Sequence, residues 1–149
     1  MGYGAPVDVA PATPADLPAV RELLLACDLR IEDVGGEGQH FLLAREGRDL
    51  LGCIGLEIHG EAGLLRSFAV APAARRRGIG AMLNEAAIGL ARSFSVRALY
   101  VLTTTVRERA LRDGFVDVPR EEVPEAIRAG PQFQGLCSTS AACMRMRVR

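Results

Sequence analysis

The 149-residue chain contains no lysine, only two histidines and few aromatic residues, so its core is expected to be aliphatic and rich in alanine. All 18 basic residues are therefore arginines, and 18 acidic residues balance them. A nucleoside-triphosphate P-loop needs a lysine followed by serine or threonine, so this class is excluded. A net charge of zero also argues against a nucleic-acid-binding protein, since a basic surface usually shows in the total charge.

The cysteines form no CxxC pair, and the two histidines lie far apart in sequence, which argues against a zinc framework. The N-terminus lacks a basic segment followed by an apolar run, and no stretch approaches membrane-spanning length. We therefore expect a cytoplasmic protein with reduced thiols and no membrane partner. The residues concerned are Cys27, Cys53, Cys137, Cys143, His40 and His59.

The pattern of apolar residues predicts one α+β domain over residues 1–149. A short strand and a helix that starts near Thr13 come first, and a glycine-rich segment over residues 30–39 follows as a loop or a short helix. Three antiparallel strands come next, then an amphipathic helix over residues 79–94 and a buried-type strand over residues 97–103. The return of a strand after a helix implies a parallel, right-handed crossover. The prediction is a mixed, mostly antiparallel sheet with helices on both faces.

The segment between the third of these strands and the amphipathic helix has the features of an anion-binding turn. The strand ends at Pro72, and the turn reads Arg75-Arg76-Arg77-Gly78-Ile79-Gly80. Glycines allow backbone N–H groups to approach an anion, and a helix N-terminus carries positive partial charge. Arginines add charge-assisted hydrogen bonds. These features predict a site for a phosphorylated ligand.

Other phosphorylated ligands require different residues in such a turn. A dinucleotide fingerprint requires a third glycine, but Leu83 stands in its place and no acidic residue ends the following strand. The pattern Arg-x-x-Gly-x-Gly between an apolar strand and an amphipathic helix resembles the coenzyme A pyrophosphate loop of the GNAT superfamily of N-acyltransferases. The order of the elements also resembles that fold over nearly the entire chain.

This resemblance implies an acetyl-CoA-dependent N-acetyltransferase with a small-molecule amine as its second substrate. The acetyl and pantetheine arm would pair along the strand that ends at Val70, held by its backbone. The pyrophosphate would bind the N–H groups of residues 76–81 and the guanidinium of Arg75. The implied cofactor-binding residues are Phe68, Ala69, Val70, Arg75, Arg76, Arg77, Gly78, Ile79, Gly80 and Ala81.

Amine transfer requires a base, because a primary ammonium with a pKa near ~10 is almost fully protonated at neutral pH. Glu57, an acidic residue in an otherwise apolar strand, is the candidate base, and an outward-facing surface position is the alternative. Arg66 is expected either to orient an anionic substrate or to pair with Glu57. Thr103 and Thr104 are expected to line the acceptor pocket or to satisfy backbone groups at the strand end.

One feature departs from the family pattern. Many GNAT enzymes carry a tyrosine, the acid for the departing CoA thiolate, in the helix after the fifth core strand. The matching residues 107–111 contain no aromatic residue. A thiolate is a tolerable leaving group near neutral pH, so turnover does not strictly require that acid.

Several short segments, among them residues 99–105 and the C-terminal cysteines, resemble the arsenic-resistance-associated branch of these acetyltransferases. Cys137 and Cys143 are then potential soft-metalloid ligands, or simply two buried apolar residues. The alternative function is a catalytically weakened GNAT scaffold that binds or senses a thiophilic metalloid. Proteins of this fold frequently dimerise, so a homodimer stays open.

Overall fold

The computed structural model describes residues 6–103, 106–131, 133–134 and 141–149. In this part of the chain the strands and α-helices follow in the order β1 (Val7–Pro11), α1 (Leu17–Ala26), β2 (Gln39–Glu46), β3 (Asp49–His59), β4 (Ala62–Val70), α2 (Ile79–Ser93), β5 (Ala98–Thr103), α3 (Arg107–Arg112), β6 (Val116–Asp117), α4 (Glu125–Arg128) and β7 (Ala142–Arg147).

The strands form one sheet in the order β1-β2-β3-β4-β5-β7-β6. The pairing of β4 with β5 is parallel, and every other pairing among the described residues is antiparallel. Helix α2 makes the crossover that a parallel pairing needs. This confirms the predicted α+β fold with a mixed, mostly antiparallel sheet.

The start signal of the first helix lies one turn before the α-helix itself begins. The backbone N–H of Thr13 donates to a carboxylate oxygen of Asp16 at 2.7 Å, and the two residues form a capping box. A 3₁₀ turn over Pro14–Asp16 follows this cap, and the α-helix itself begins at Leu17. Residues 30–38 contain no helix or strand, in agreement with the loop and not with the short helix.

Helices cover both faces of the sheet and divide its core. Helix α2 packs on one face, where Ile54, Leu65 and Leu83 belong to the largest apolar cluster. Helix α1 covers part of the other face through Val20 and Leu24. A third cluster, with Ile127 of α4, lies on β4, β5 and β7. No helix in the described part of the chain combines the length and apolar character needed to cross a bilayer.

Strand β4 contains a bulge that turns its end away from β5. Cys53 pairs with Ala69 and Gly55 with Arg66, so β4 has one residue more than β3 in this interval. Ser67, within the bulge, has a left-handed backbone with a φ of 50°. The last β4–β5 pair is Leu65 with Val101. From Arg66 onward β4 has no partner on that side among the described residues, and a gap opens in the sheet.

Gly52 of β3 packs closely against α2, so we expect Gly52→Ala to destabilise the fold. A Cβ there would approach the carbonyl oxygen of Ala69 to 2.9 Å and Leu83 Cδ1 to 3.0 Å. Overpacking of this kind costs about 1–3 kcal/mol, measurable as the free energy of unfolding in urea.

Gly89→Ala is the matched control for this substitution. Gly89 lies on the exposed side of α2, and an added Cβ would meet nothing within 4 Å. Replacing a glycine inside a helix should therefore stabilise by about 0.5–1 kcal/mol. Equal effects of the two substitutions would contradict the close packing of α2 on β3.

Candidate active site

A cleft of about 680 Å³ lies beside the free end of β4. Its walls are the end of α1, the end of β4, the turn that leads into α2 and the start of α3. All the predicted coenzyme residues line it except Arg77. Among the described residues the lining consists of Cys27, Leu29, Phe68, Ala69, Val70, Ala74, Arg75, Arg76, Gly78, Ile79, Gly80, Ala81, Val106 and Arg109.

One end of the cleft is an anion-binding end formed by the start of α2. Gly78 is the N-cap of this helix, in a left-handed conformation with a φ of 78°. Its carbonyl accepts from the N–H of Met82 at 3.1 Å, which begins the helical hydrogen-bond series. The N–H groups of Ile79, Gly80 and Ala81 therefore precede that series and are available to an anion.

The three consecutive arginines of the turn have different surroundings. Arg75 donates through Nε to the carbonyl of Val70 at 3.2 Å, which holds its guanidinium at the end of β4. Arg76 is exposed and has a left-handed backbone, with a φ of 67°. The Arg77 side chain turns out of the cleft and forms an ion pair with Glu46 of β2 at 2.5 Å. Arg75 and Arg76 thus face the cleft, whereas Arg77 ties the turn to β2.

The lining fits coenzyme A. The described part of the lining contains arginines and a helix N-terminus but no acidic side chain, which suits a pyrophosphate. Leu29, Phe68, Val70 and Val106 supply an apolar stretch for the pantetheine chain. The gap between β4 and β5 leaves backbone groups of β4 free to pair with an extended ligand.

A cluster of charged residues lies where β4 and β5 begin to separate. The buried Arg66 guanidinium donates to the two carboxylate oxygens of Asp33, at 2.5 and 2.6 Å, and to Glu57 Oε2 at 3.1 Å. Glu57 Oε1 lies 2.7 Å from His59 Nε2. The cluster thus joins β3 and β4 to the loop between α1 and β2.

Arg66 is the centre of this cluster, and its side chain is 0% exposed. Burial alone would lower the pKa of Arg66, but the carboxylates of Asp33 and Glu57 outweigh it and raise the pKa. Of the two sequence-based alternatives, the structure therefore has Arg66 paired with Glu57 and enclosed by the protein. Glu57 is itself 7% exposed, so it is not an outward-facing surface residue.

The remaining candidates lie around the gap in the sheet or in its core. The Thr103 hydroxyl accepts from the N–H of Val106 at 2.9 Å, so it caps the strand end. Cys143 is buried beside Leu64 and Ile127, and burial raises the pKa of its thiol. Thr104 and Cys137 lie outside the described residues.

Four residues of these sites were not predicted from the sequence. Asp33 and His59 complete the cluster around Glu57, and Cys27 and Arg109 enter the cleft from α1 and α3. Cys27 donates weakly to the carbonyl of Val70 at 3.6 Å. An acidic residue in a glycine-rich loop was the only visible signal for Asp33; the others have no motif.

Solved structures with the same fold are numerous. N-acetylglutamate synthase from Neisseria gonorrhoeae, complexed with coenzyme A and L-arginine, superposes with a TM-score of 0.81 at 23% identity, over 97% of this chain and 34% of that chain. This chain thus spans about a third of the synthase. A GNAT-family acetyltransferase from Staphylococcus aureus superposes with a TM-score of 0.78 at 15% identity, over 97% and 100%.

A Mycobacterium tuberculosis protein in complex with CoA gives a TM-score of 0.74 at 20% identity, over 95% of this chain and 99% of that chain. These likenesses concern the fold. No curated protein matches the chain. The model of the acetyltransferase (GNAT) family matches residues 11–113, more than half of the chain, which therefore belongs to the GNAT acetyltransferase family.

Proposed function

We propose that the protein transfers the acetyl group of acetyl-CoA to the primary amine of a small molecule. The observation that carries this proposal is the cleft between the free end of β4 and the N-terminus of α2, which combines an anion-binding end with an apolar stretch. Solved neighbours of the same fold contain CoA, which supports the same ligand here. The cofactor supplies an activated acetyl thioester.

Glu57 is the proposed base. It pairs with Leu64 of β4, one position before the last β4–β5 pair, so it lies close to where the thioester would sit in the gap. Arg66 holds one carboxylate oxygen and His59 contacts the other, which fixes the orientation of the group. Within the proposal, the carboxylate takes a proton from the acceptor ammonium, directly or through water, before the amine attacks.

The proposed acceptor site lies on the face of the sheet opposite α2. Leu65 points into the cluster under α2, and neighbouring residues of a strand alternate between faces, so Leu64 and Arg66 point away from α2. The loop that carries Asp33 and the segment that carries Ile127 flank this face. Because carboxylates of the protein enclose Arg66, the proposal gives Arg66 the role of positioning Glu57 and not of binding an anionic acceptor.

The alternative, a metalloid-binding scaffold, receives less support from the cysteines. A thiolate is the form that binds soft ions, and burial of Cys143 in an apolar cluster favours the neutral thiol. We therefore place the arsenic link that the resemblance implies in the acceptor and not in a thiol site.

A panel of primary amines, with an arsenic-containing amino compound among them, tests the function by CoA thiol release. No release above hydrolysis with any amine would contradict the proposal.

Gly78→Asp should abolish CoA binding, measured by titration calorimetry. Gly78 has a φ of 78° and a Cβ there would meet nothing within 4 Å, so the substituted chain can fold with a carboxylate at the anion-binding end. Charge repulsion of the pyrophosphate then opposes binding. Gly78→Asn is the neutral control, since asparagine tolerates the same backbone conformation. A similar loss in both variants would show that backbone strain, and not charge, is responsible.

Glu57→Gln should lower kcat by about 10²–10⁴-fold, because it removes a base but nearly preserves the shape of the side chain. Its dissociation constant for CoA should stay within threefold of the wild-type value, since Glu57 does not line the cleft. The measurement is steady-state kinetics with an acceptor from the panel, together with calorimetry. A kcat equal to that of the wild type would remove Glu57 from the base role.

A further inference from the structure

Arg109 enters the coenzyme cleft from α3 and has a defined place there. Its guanidinium lies over the ring of Phe68, 5.6 Å from the ring centre. It also lies against Gly80: a Cβ on this glycine would come within 2.9 Å of both terminal guanidinium nitrogens. Asp113, one helical turn later, contacts Arg109 Nε at 3.5 Å. Strand β4, helix α2 and helix α3 thus all help to place this cation.

We propose that Arg109 stabilises the negative charge on the sulfur of the departing coenzyme A. This inference rests on the proposed function, in which the acyl-pantetheine arm lies along the end of β4. Phe68 belongs to that part of β4, beyond the last pair with β5. A cation fixed on the Phe68 ring is therefore next to the path of the arm, between the thioester and the phosphates.

A nearby positive charge favours the departure of the thiolate, and the described residues of α3 include no aromatic acid. The amine nitrogen forms a bond to the acetyl carbon, the carbon–sulfur bond breaks, and its electron pair goes to sulfur. Glu57 has taken the first proton of the ammonium, so the proton that the attacking nitrogen still has to lose goes to water. A guanidinium is protonated at every relevant pH, so it stabilises the sulfur as a thiolate by charge alone, and the thiolate takes its proton from water afterwards.

Arg109 also explains how α3 can lack an aromatic acid. The described residues 107–112 read Arg-Glu-Arg-Ala-Leu-Arg, and Arg109 is the one that lines the cleft. Among the other cleft arginines, Arg75 is held at the carbonyl of Val70. Arg109 is the one of these arginines whose guanidinium lies over the Phe68 ring of β4.

The first test needs no turnover. CoA itself is bound to the protein, and its thiol is titrated by the ultraviolet absorbance of the thiolate. We expect a thiol pKa about one unit lower in the wild-type complex than in the Arg109→Gln complex, that is, about tenfold more thiolate at a given pH below both values. Arg109→Lys should keep part of this shift. Arg112→Gln, an exposed arginine of the same helix, is the control and should behave as wild type. Equal thiol pKa values in wild type and Arg109→Gln would overturn the proposal.

The second test separates the sulfur from the phosphates. Arg109→Gln should lower kcat by about 10–100-fold with acetyl-CoA and equally with acetyl-pantetheine, which has no pyrophosphate. A loss seen only with acetyl-CoA, as a raised dissociation constant, would make Arg109 a phosphate ligand and overturn the proposal. If the wild type acetylates no amine, the proposed function fails while the thiol titration still decides the role of Arg109.

Gly80→Ala tests the placement of the guanidinium independently. The added methyl group would push the Arg109 guanidinium away from its position without removing the positive charge from the protein. The thiol pKa of bound CoA should therefore rise towards that of the Arg109→Gln complex. In a double-mutant cycle the two substitutions together should raise it no further than Arg109→Gln alone. Additive effects would show that Gly80 and Arg109 act separately and would contradict the proposed placement.

Discussion

The parallel pairing of β4 with β5 stops after Leu65, and both sites depend on that interruption. A β-bulge that contains Ser67 adds one residue to β4 and turns its end away from β5. The cleft lies along the freed end of the strand. The charged cluster around Arg66 lies where the two strands begin to separate. The extra residue in β4 thus determines where a ligand can pair with the backbone of that strand.

Much of this arrangement can be predicted from local sequence. Strand and helix periods identify the elements, and the return of a strand after α2 predicts the parallel pairing. The spacing of Gly78 and Gly80 before an apolar helix predicts the anion-binding end, because glycines allow backbone N–H groups to approach an anion closely. Each of these signals comes from consecutive residues or consecutive elements of the chain, so it can be recognised without knowing the three-dimensional contacts.

The remaining contacts join residues that are distant in sequence. Asp33 reaches Arg66 from a loop of no regular period, and Arg109 reaches Phe68 across the cleft. Ser67 carries no mark of a bulge, since serine is common in regular strands. For Arg66 the sequence left two partners open, an anionic ligand or Glu57. The enclosed guanidinium is paired with Glu57, which favours the second alternative, since burial of an unpaired charge is costly.

The ion pairs described here differ in their exposure to water, and they therefore differ in their sensitivity to dissolved salt. The side chain of Arg66 is 0% exposed, whereas that of Arg77, paired with Glu46, is 42% exposed. Mobile ions screen exposed charges over a Debye length of about 8–10 Å at physiological ionic strength, and this length shortens as salt is added, whereas enclosed pairs are screened much less. Rising ionic strength thus loosens the attachment of the arginine turn to β2 before it affects the arrangement around Glu57. The attachment of the turn that borders the cleft and the orientation of the Glu57 carboxylate are in this way separable by salt.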